Sequence, residues 1–448
     1  PHNNATPQCF RKCFSIAVLA IAAAAGGRSA EPGRSAKPHD TPVLTGLDVL
    51  AAENFAPLKG KNVGLITNHT GLSVDGKRNV DLMLAAGIHV LALFSPEHGI
   101  LGVEDQPNIA DSTDKATGLP VRSLHDGKTH RMTPEMLTGI DTLVYDIQDV
   151  GARFYTYSCT MIYGMQEAAR NHVAFYVLDR PNPITGSHVE GPMIDSGLKS
   201  YVGCADEPVR HGFTFGELAR YVNGESAQGG AASFDATGIT LPPRSVVRGF
   251  PERETHLGAD LHVIPMRGWR RGMWWDETNL TWVDPSPNMN SLPAAVLYPG
   301  TCLLESSKNF SVGRGTRVAY EQVGADWVDG RKLAAYLNAR AIPGVRAYPT
   351  RFRPTASHFQ GRQIEGVRFV ITDRDALDSV RLGLEIIHAL QVLYPGKLSI
   401  QANQRLIGSK AVIDALEAGA DPLAIERSFH ADLEKFLKTR QKYLLYSR

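Results

Sequence analysis

Four short runs of β-branched and aromatic residues constrain this chain more than any other feature: Lys61 to Thr67 (KNVGLIT), His89 to Phe94 (HVLALF), Asp141 to Ile147 (DTLVYDI) and Ala174 to Leu178 (AFYVL). They have strand length and almost no polar alternation, the pattern of strands buried on both faces. Helical patterns separate them, at Asn79 to Ala86, Thr133 to Leu137 and Tyr157 to Asn171, the last with Met161, Met165, Ala168 and Ala169 at helical spacing. The alternation predicts an α/β fold, a right-handed βαβ series around a mainly parallel sheet.

Each run ends in a polar cluster. The first is followed by Asn68-His69-Thr70-Gly71, the second by Ser95-Pro96-Glu97-His98-Gly99, the third by Gln148-Asp149-Val150-Gly151-Ala152-Arg153-Phe154-Tyr155, and the fourth by Asp179-Arg180-Pro181-Asn182-Pro183. In an open parallel sheet the carboxyl ends of the strands share one edge, and ligands bind in the crevice there. The four clusters are expected to converge, although each alone also reads as a turn or a surface ion pair.

Composition narrows the partners. Lys and Arg number 47 and Asp and Glu 46, a formal net charge of +1. Nothing global draws such a chain to nucleic acid or to an anionic membrane. A length of 448 residues with 43% apolar content suits two globular domains, each with its own core. We expect a Rossmann-like domain over 46–230, a smaller α/β domain over 231–448, and a cleft between them. The second half opens with Trp269, Trp274, Trp275 and Trp282, either core or a stacking surface for sugar rings. It closes with a strand at Val367 to Thr372 and amphipathic helices near Leu377 to Leu393 and Ala424 to Tyr446.

At the N-terminus, Arg11 and Lys12 precede an apolar run from Cys13 to Ala25 and then small residues up to Ala30, the pattern of a secretion signal. The run is shorter than the roughly 20 residues a membrane span needs. Residues 1–30 are therefore expected to be an export signal and 31–45 a linker, leaving a periplasmic or secreted protein with no membrane attachment. Cys159, Cys204 and Cys302 remain after such processing; without a CxxC they are expected to be buried free thiols, with at most one disulfide. Asp126-Gly127-Lys128-Thr129 resembles the end of a phosphate-binding P-loop, but Arg122 stands where the first glycine is needed. GxGxxG, GxSxG and HExxH are absent.

Glu97 is the leading acidic candidate. Pro96 fixes the backbone before it, and Gly99 releases the chain into a long polar loop reaching about Gly118. A carboxyl so held can be desolvated and kept protonated as a general acid. His98 either meets a substrate or holds the loop. Asp146 and Asp149 suit the second carboxylate of a glycosidase pair or the cap of the next helix. Arg153, Arg180 and Arg314 are candidate anion binders or structural ion pairs. Tyr155 and Tyr157 can donate to a sugar, and Asn68, His69 and Asn182 complete the strand-end set.

The ordered motifs Ser95 to Gly99, Tyr145 to Tyr157, Asp179 to Pro183 with Glu190-Gly191-Pro192, Arg210-His211-Gly212, Trp282 to Asn288, Tyr298 to Cys302 and Gly313 to Thr316 resemble those of the exo-β-N-acetylmuramidase family, the NamZ-type glycoside hydrolases. The resemblance runs from about Gly46 to Tyr446 and implies a Rossmann-like domain, a smaller α/β domain and a cleft. It implies release of N-acetylmuramic acid from the non-reducing ends of peptidoglycan fragments such as MurNAc-GlcNAc, without metal or organic cofactor, and with Glu97 as the catalytic residue. Under it, Arg153 or Arg180 holds the lactyl carboxylate of the substrate. Asp146, Asp149 or the sugar's own 2-acetamido group supports the anomeric centre. Two departures bear on substrate preference: Ser306-Ser307-Lys308-Asn309 replaces a Gly-Thr-Asn run, and Val318-Ala319-Tyr320 replaces a Pro-Phe pair. A noncatalytic muropeptide- or sugar-binding protein and a cell-wall esterase are the alternatives from other classes.

Overall fold

A computed structural model of the chain describes residues 42–225 and 257–447. The expected export signal, most of the linker and the 230/231 boundary lie outside the described residues. The linker's last residues are packed in: Val43 and Leu44 donate backbone hydrogen bonds to Thr278 and Arg267, and Thr45 forms a capping box with Asp48 at the start of α1 (Gly46–Ala52).

A seven-stranded sheet is built from β1 (Asn62–Thr67), β2 (His89–Ser95), β3 (Ser112–Thr113), β4 (Pro120–Ser123), β5 (Thr142–Asp146), β6 (Ala174–Leu178) and, after a two-stranded ribbon of β7 (Glu190–Met193) and β8 (Pro208–Arg210), β9 (Leu261–Ile264). Its order is β3-β4-β2-β1-β5-β6-β9, and every pair is parallel except β3 with β4. The chain leaves central β1 for β2 and β4 on one side, then crosses to β5 and β6 on the other. The polar clusters after β1, β2 and β5 therefore flank the point where strand order reverses.

Alternate strand residues serve opposite faces. Val63, Leu65, Val144 and Tyr176 pack with α1 and α2 (Asn79–Ala85). Ile66, Leu143, Tyr145 and Phe175 pack with α3 (Tyr157–Arg170) and α4 (Phe215–Glu225). Both faces are covered, which is why these strands read as unbroken apolar runs.

The C-terminal half has an antiparallel sheet in the order β10 (Gln322–Ala325), β12 (Ile364–Ile371), β11 (Val345–Phe352). Around it are α5 (Leu292–Thr301), α6 (Gly330–Ala339), α7 (Ser379–Leu393), α8 (Gln404–Ile407), α9 (Lys410–Glu417) and α10 (Pro422–Arg440). The two halves do not have separate cores as expected. The largest buried cluster runs from Ile66 through α3 and α5 to Phe436. The tryptophans belong to the packing: Trp269, Trp274 and Trp275 are buried, and Trp282 stands edge-on to Trp275 at 5.5 Å. Among the described residues, no helix is long and apolar enough to cross a membrane.

Candidate active site

A cavity of about 280 Å³ opens between the halves. Glu97, His98, Phe154, Tyr155, Thr156 and Tyr157 line it from the strand ends of the large sheet, and Tyr298, Cys302, Glu305, Arg314 and Tyr320 line it from the C-terminal half.

Glu97 follows β2, and the chain turns sharply behind it: His98 and Gly99 both have left-handed backbones, with φ of 69° and 72°. A left-handed non-glycine residue is strained, and such strain persists where surrounding contacts enforce it. Here His98 Nδ1 lies 2.6 Å from the Glu104 carbonyl oxygen, so His98 holds the loop while its side chain also lines the cavity. Thr156, at the cap position of α3, makes no side-chain capping bond. Its Oγ1 instead donates to Glu97 Oε2 at 2.6 Å. Two histidines lie behind this carboxylate. His125 and His130 have ring centres 5.0 Å apart, and His130 stacks on Tyr201 at 4.0 Å. Burial is the main cause holding both imidazoles below their usual titration range.

Glu305 carries the second cavity carboxylate, and sequence reasoning missed it. Arg314 Nη1 donates to Oε1, the Tyr320 hydroxyl donates to both oxygens at 3.2 and 3.3 Å, and the Cys302 thiol donates to Oε2 at 2.9 Å. Burial pushes the Cys302 thiol up, so it stays protonated as a donor. Glu305 lies three residues past Cys302 in a short turn, and no local pattern separates it from a surface acid. Tyr298 and Tyr320 were missed as well; their motifs were visible, but not which side chains face inward.

Several expected site residues are committed elsewhere. Asp146, fully buried, and Arg180, nearly so, pair with each other through Arg180 Nε and Nη2 at 2.6 and 3.1 Å. Asn79 Nδ2 adds a third donor to Asp146 at 2.7 Å. Arg153 is fully buried and donates to four backbone carbonyls, of Pro192, Glu207, Leu406 and Ile407. It ties β7 and the approach to β8 to the C-terminal half; the desolvation lowers its pKa to about 10. None of these three reaches the cavity lining, so neither Arg153 nor Arg180 is placed to meet a substrate carboxylate. Asp149 is buried beneath the loop after β5, accepts from Gly151 N at 2.9 Å, and is pushed up to about 7 by burial. It does not line the cavity. Asn182 closes a local turn, accepting from Ile184 N and donating to Phe213 O. Asn68 accepts from Thr70, whose hydroxyl accepts from Gln148 N, joining the loops after β1 and β5. His69 Nε2 lies 2.7 Å from Asp284 O. Tyr157 lines the cavity while its hydroxyl donates to Pro285 O at 2.7 Å, and the Tyr155 hydroxyl is buried beside Ser286.

Cys159 and Cys204 form a disulfide, contrary to the expectation of free thiols, and Cys302 is the buried free cysteine. The bond joins α3 to the segment carrying Tyr201 and Val202. Among the described residues, no three His, Cys, Asp or Glu side chains are grouped as metal ligands.

Comparison with known proteins agrees with this architecture. Residues 63–293 match the family described as exo-beta-N-acetylmuramidase NamZ, N-terminal, and residues 296–446 match its C-terminal counterpart. The two matches meet at the start of α5, so the cavity lies between them. The chain is 39% identical over 409 residues to the peptidoglycan beta-N-acetylmuramidase NamZ of Bacillus subtilis (strain 168), covering 90% of this chain and 91% of that one. Two crystal structures of DUF1343 family proteins from Bacteroides fragilis NCTC 9343 superpose with TM-scores of 0.78 and 0.69, at 33% and 28% identity. Each superposition covers 91% of this chain and 99% of the other. With both family halves matched in order across the folded region, the chain belongs to the NamZ family of exo-β-N-acetylmuramidases.

Proposed function

We propose that this protein is an exo-acting β-N-acetylmuramidase that removes N-acetylmuramic acid from the non-reducing ends of peptidoglycan fragments in cell-wall turnover. The observation that carries the reading is the pair of carboxylates, Glu97 and Glu305, presented to one cavity from the two family halves. Glu97 gives its proton to the glycosidic oxygen as the C–O bond breaks through an oxocarbenium-like transition state. The leaving sugar departs as an alcohol; a water supplies the new anomeric hydroxyl, and its second proton restores the acid. Glu305, in place of the expected Asp146 or Asp149, faces the positive charge that develops at the anomeric carbon. The Thr156 hydroxyl fixes the Glu97 carboxyl in one orientation.

The expected export signal and the Cys159–Cys204 disulfide support a site of action outside the cytoplasm, since disulfides persist in oxidising compartments.

The test is hydrolysis of a chromogenic N-acetylmuramide by the wild type and by Glu97→Gln. We expect turnover by the wild type and a loss of roughly 10²- to 10⁴-fold in kcat for the variant. Full activity of Glu97→Gln would remove Glu97 from the mechanism. Sugar binding without turnover by the wild type would instead support a binding protein.

A further inference from the structure

Muramic acid differs from glucosamine by a lactyl ether that ends in a carboxylate, and a cavity already holding the Glu305 carboxylate repels a further negative charge unless a cation meets it. Among the described residues, Arg314 is the one arginine or lysine in the cavity lining. Its Nη1 is committed to Glu305. Its Nη2 donates to both oxygens of Asp105, at 2.9 and 2.8 Å. Nε, on the same edge of the guanidinium as Nη2, is buried without a hydrogen-bond partner. Asp105 thus occupies half of a two-donor edge that matches a carboxylate's two oxygens, and leaves the other half unsatisfied.

The two anions on Arg314 are not held alike. Glu305 is 21% exposed and has Tyr320 and Cys302 as further donors. Asp105 is 46% exposed, and among the described residues Arg314 is its only side-chain partner. An ion pair open to solvent contributes little, because water replaces the lost partner readily. Asp105 can leave without unravelling its loop, whose backbone is tied behind it by His98 Nδ1 to Glu104 O and by Glu104 N to His98 O.

We propose, building on the muramidase reading, that Asp105 is an internal stand-in for the substrate's lactyl carboxylate. On binding, that carboxylate displaces Asp105 and docks on the Nε/Nη2 edge of Arg314, while Glu305 keeps Nη1. A sugar with no carboxylate cannot make the exchange, so Arg314 with Asp105 sets the preference for muramic acid over glucosamine. Asp105 lowers the affinity for every ligand that needs Arg314, and its neutralisation tightens binding of acids alone.

The experiment measures calorimetric binding of N-acetylmuramic acid and of its neutral lactyl amide to the full chain, as wild type, Asp105→Asn and Arg314→Ala. The wild type is expected to prefer the acid. Asp105→Asn tightens the acid by about two- to fivefold, the value of a solvent-open ion pair, and leaves the amide unchanged. Arg314→Ala weakens the acid by roughly 10- to 100-fold and binds acid and amide alike. The proposal is overturned if Asp105→Asn leaves the acid's affinity as it was, or tightens acid and amide equally. It is overturned as well if a folded Arg314→Ala keeps the preference; Asp105 lies at the surface, so its variant remains informative where Arg314→Ala fails to fold. Turnover of a chromogenic muramide by the wild type separates the two levels. Intact turnover with no acid-specific effect sinks this inference alone, whereas absent turnover sinks the functional reading beneath it.

Discussion

Thr156 stands where a helix-capping residue belongs, yet its hydroxyl is turned toward Glu97. Because it caps nothing, Thr156→Val should leave the melting temperature nearly unchanged. Losing a hydrogen bond to a carboxyl should lower kcat on the chromogenic muramide by roughly 10- to 100-fold, and an unaltered kcat would show that the contact is idle. Asp146 is the contrasting case. It shares a buried site with Arg180 and lies outside the cavity, so Asp146→Ala strands a buried cation and should cost about 3–5 kcal/mol of stability. Chemical denaturation checks this; a loss under 1 kcal/mol would mean that the pair is not held as described. Glu207 supplies the pH dependence. Both its carboxylate oxygens are buried without hydrogen-bond partners, and burial pushes it up to about 8, with nearby Arg153 pulling the other way. A carboxyl whose folded pKa is raised binds its proton more tightly in the folded state. Its contribution to stability is therefore full below the unfolded value of about 4.3 and is lost as pH rises through about 8. Asp149 and Asp179, each pushed up to about 7 by burial, act in the same direction. Buried His211, held down to about 3, works the other way below its unfolded value, so the check is a difference: between pH 5 and pH 8 the wild type should lose melting temperature relative to Glu207→Gln.

At the scale of elements, the strands of the parallel sheet were legible almost to the residue. Asp141 to Ile147 was expected and Thr142–Asp146 is observed, because a strand covered on both faces writes its burial as an uninterrupted apolar run. The exceptions follow from the same reasoning. β9 is four residues long and only partly buried at the sheet's edge, and β3 and β4 lie in and just beyond the segment read as a polar loop. β9 and β3 are edge strands with one neighbour each, and β4 has only the two-residue β3 on its outer side, so all three leave little trace in composition. Helix contacts were not legible either. α5 and α7 cross with backbones touching, and a Cβ on Gly300 would stand 1.8 Å from the Ser379 carbonyl oxygen. Gly300→Ala should force the helices apart and cost about 1–3 kcal/mol or more; unchanged thermal unfolding would show that the crossing is looser. The disulfide is a further contact between elements. Cys159 and Cys204 are 45 residues apart, and their spacing alone gave no reason to join them. Cys204→Ser should lower stability by about 2–4 kcal/mol in the oxidised protein and by little once the wild type is reduced.

For the whole molecule, the cavity is the product of two halves that share one buried core. Glu97 was legible because Pro96 and Gly99 mark a strand end and the surrounding motif is specific. Glu305 was not, because its significance lies in facing Glu97 across a boundary that no local pattern records. Both departures from the family pattern reach the cavity wall, through Ser306 and Tyr320, so differences in substrate preference should arise there. By itself, the sequence determined the parallel α/β architecture, the edge where the polar clusters gather and one of the two cavity carboxylates, Glu97, all properties of periodicity and of residues adjacent along the chain. Only the tertiary structure decided which charges are available for chemistry. Arg153, Arg180 and Arg314 look alike as letters, but an ionised group taken out of water must find its partner in space. The fold gives Arg153 to backbone carbonyls, Arg180 to Asp146, and Arg314 to the cavity.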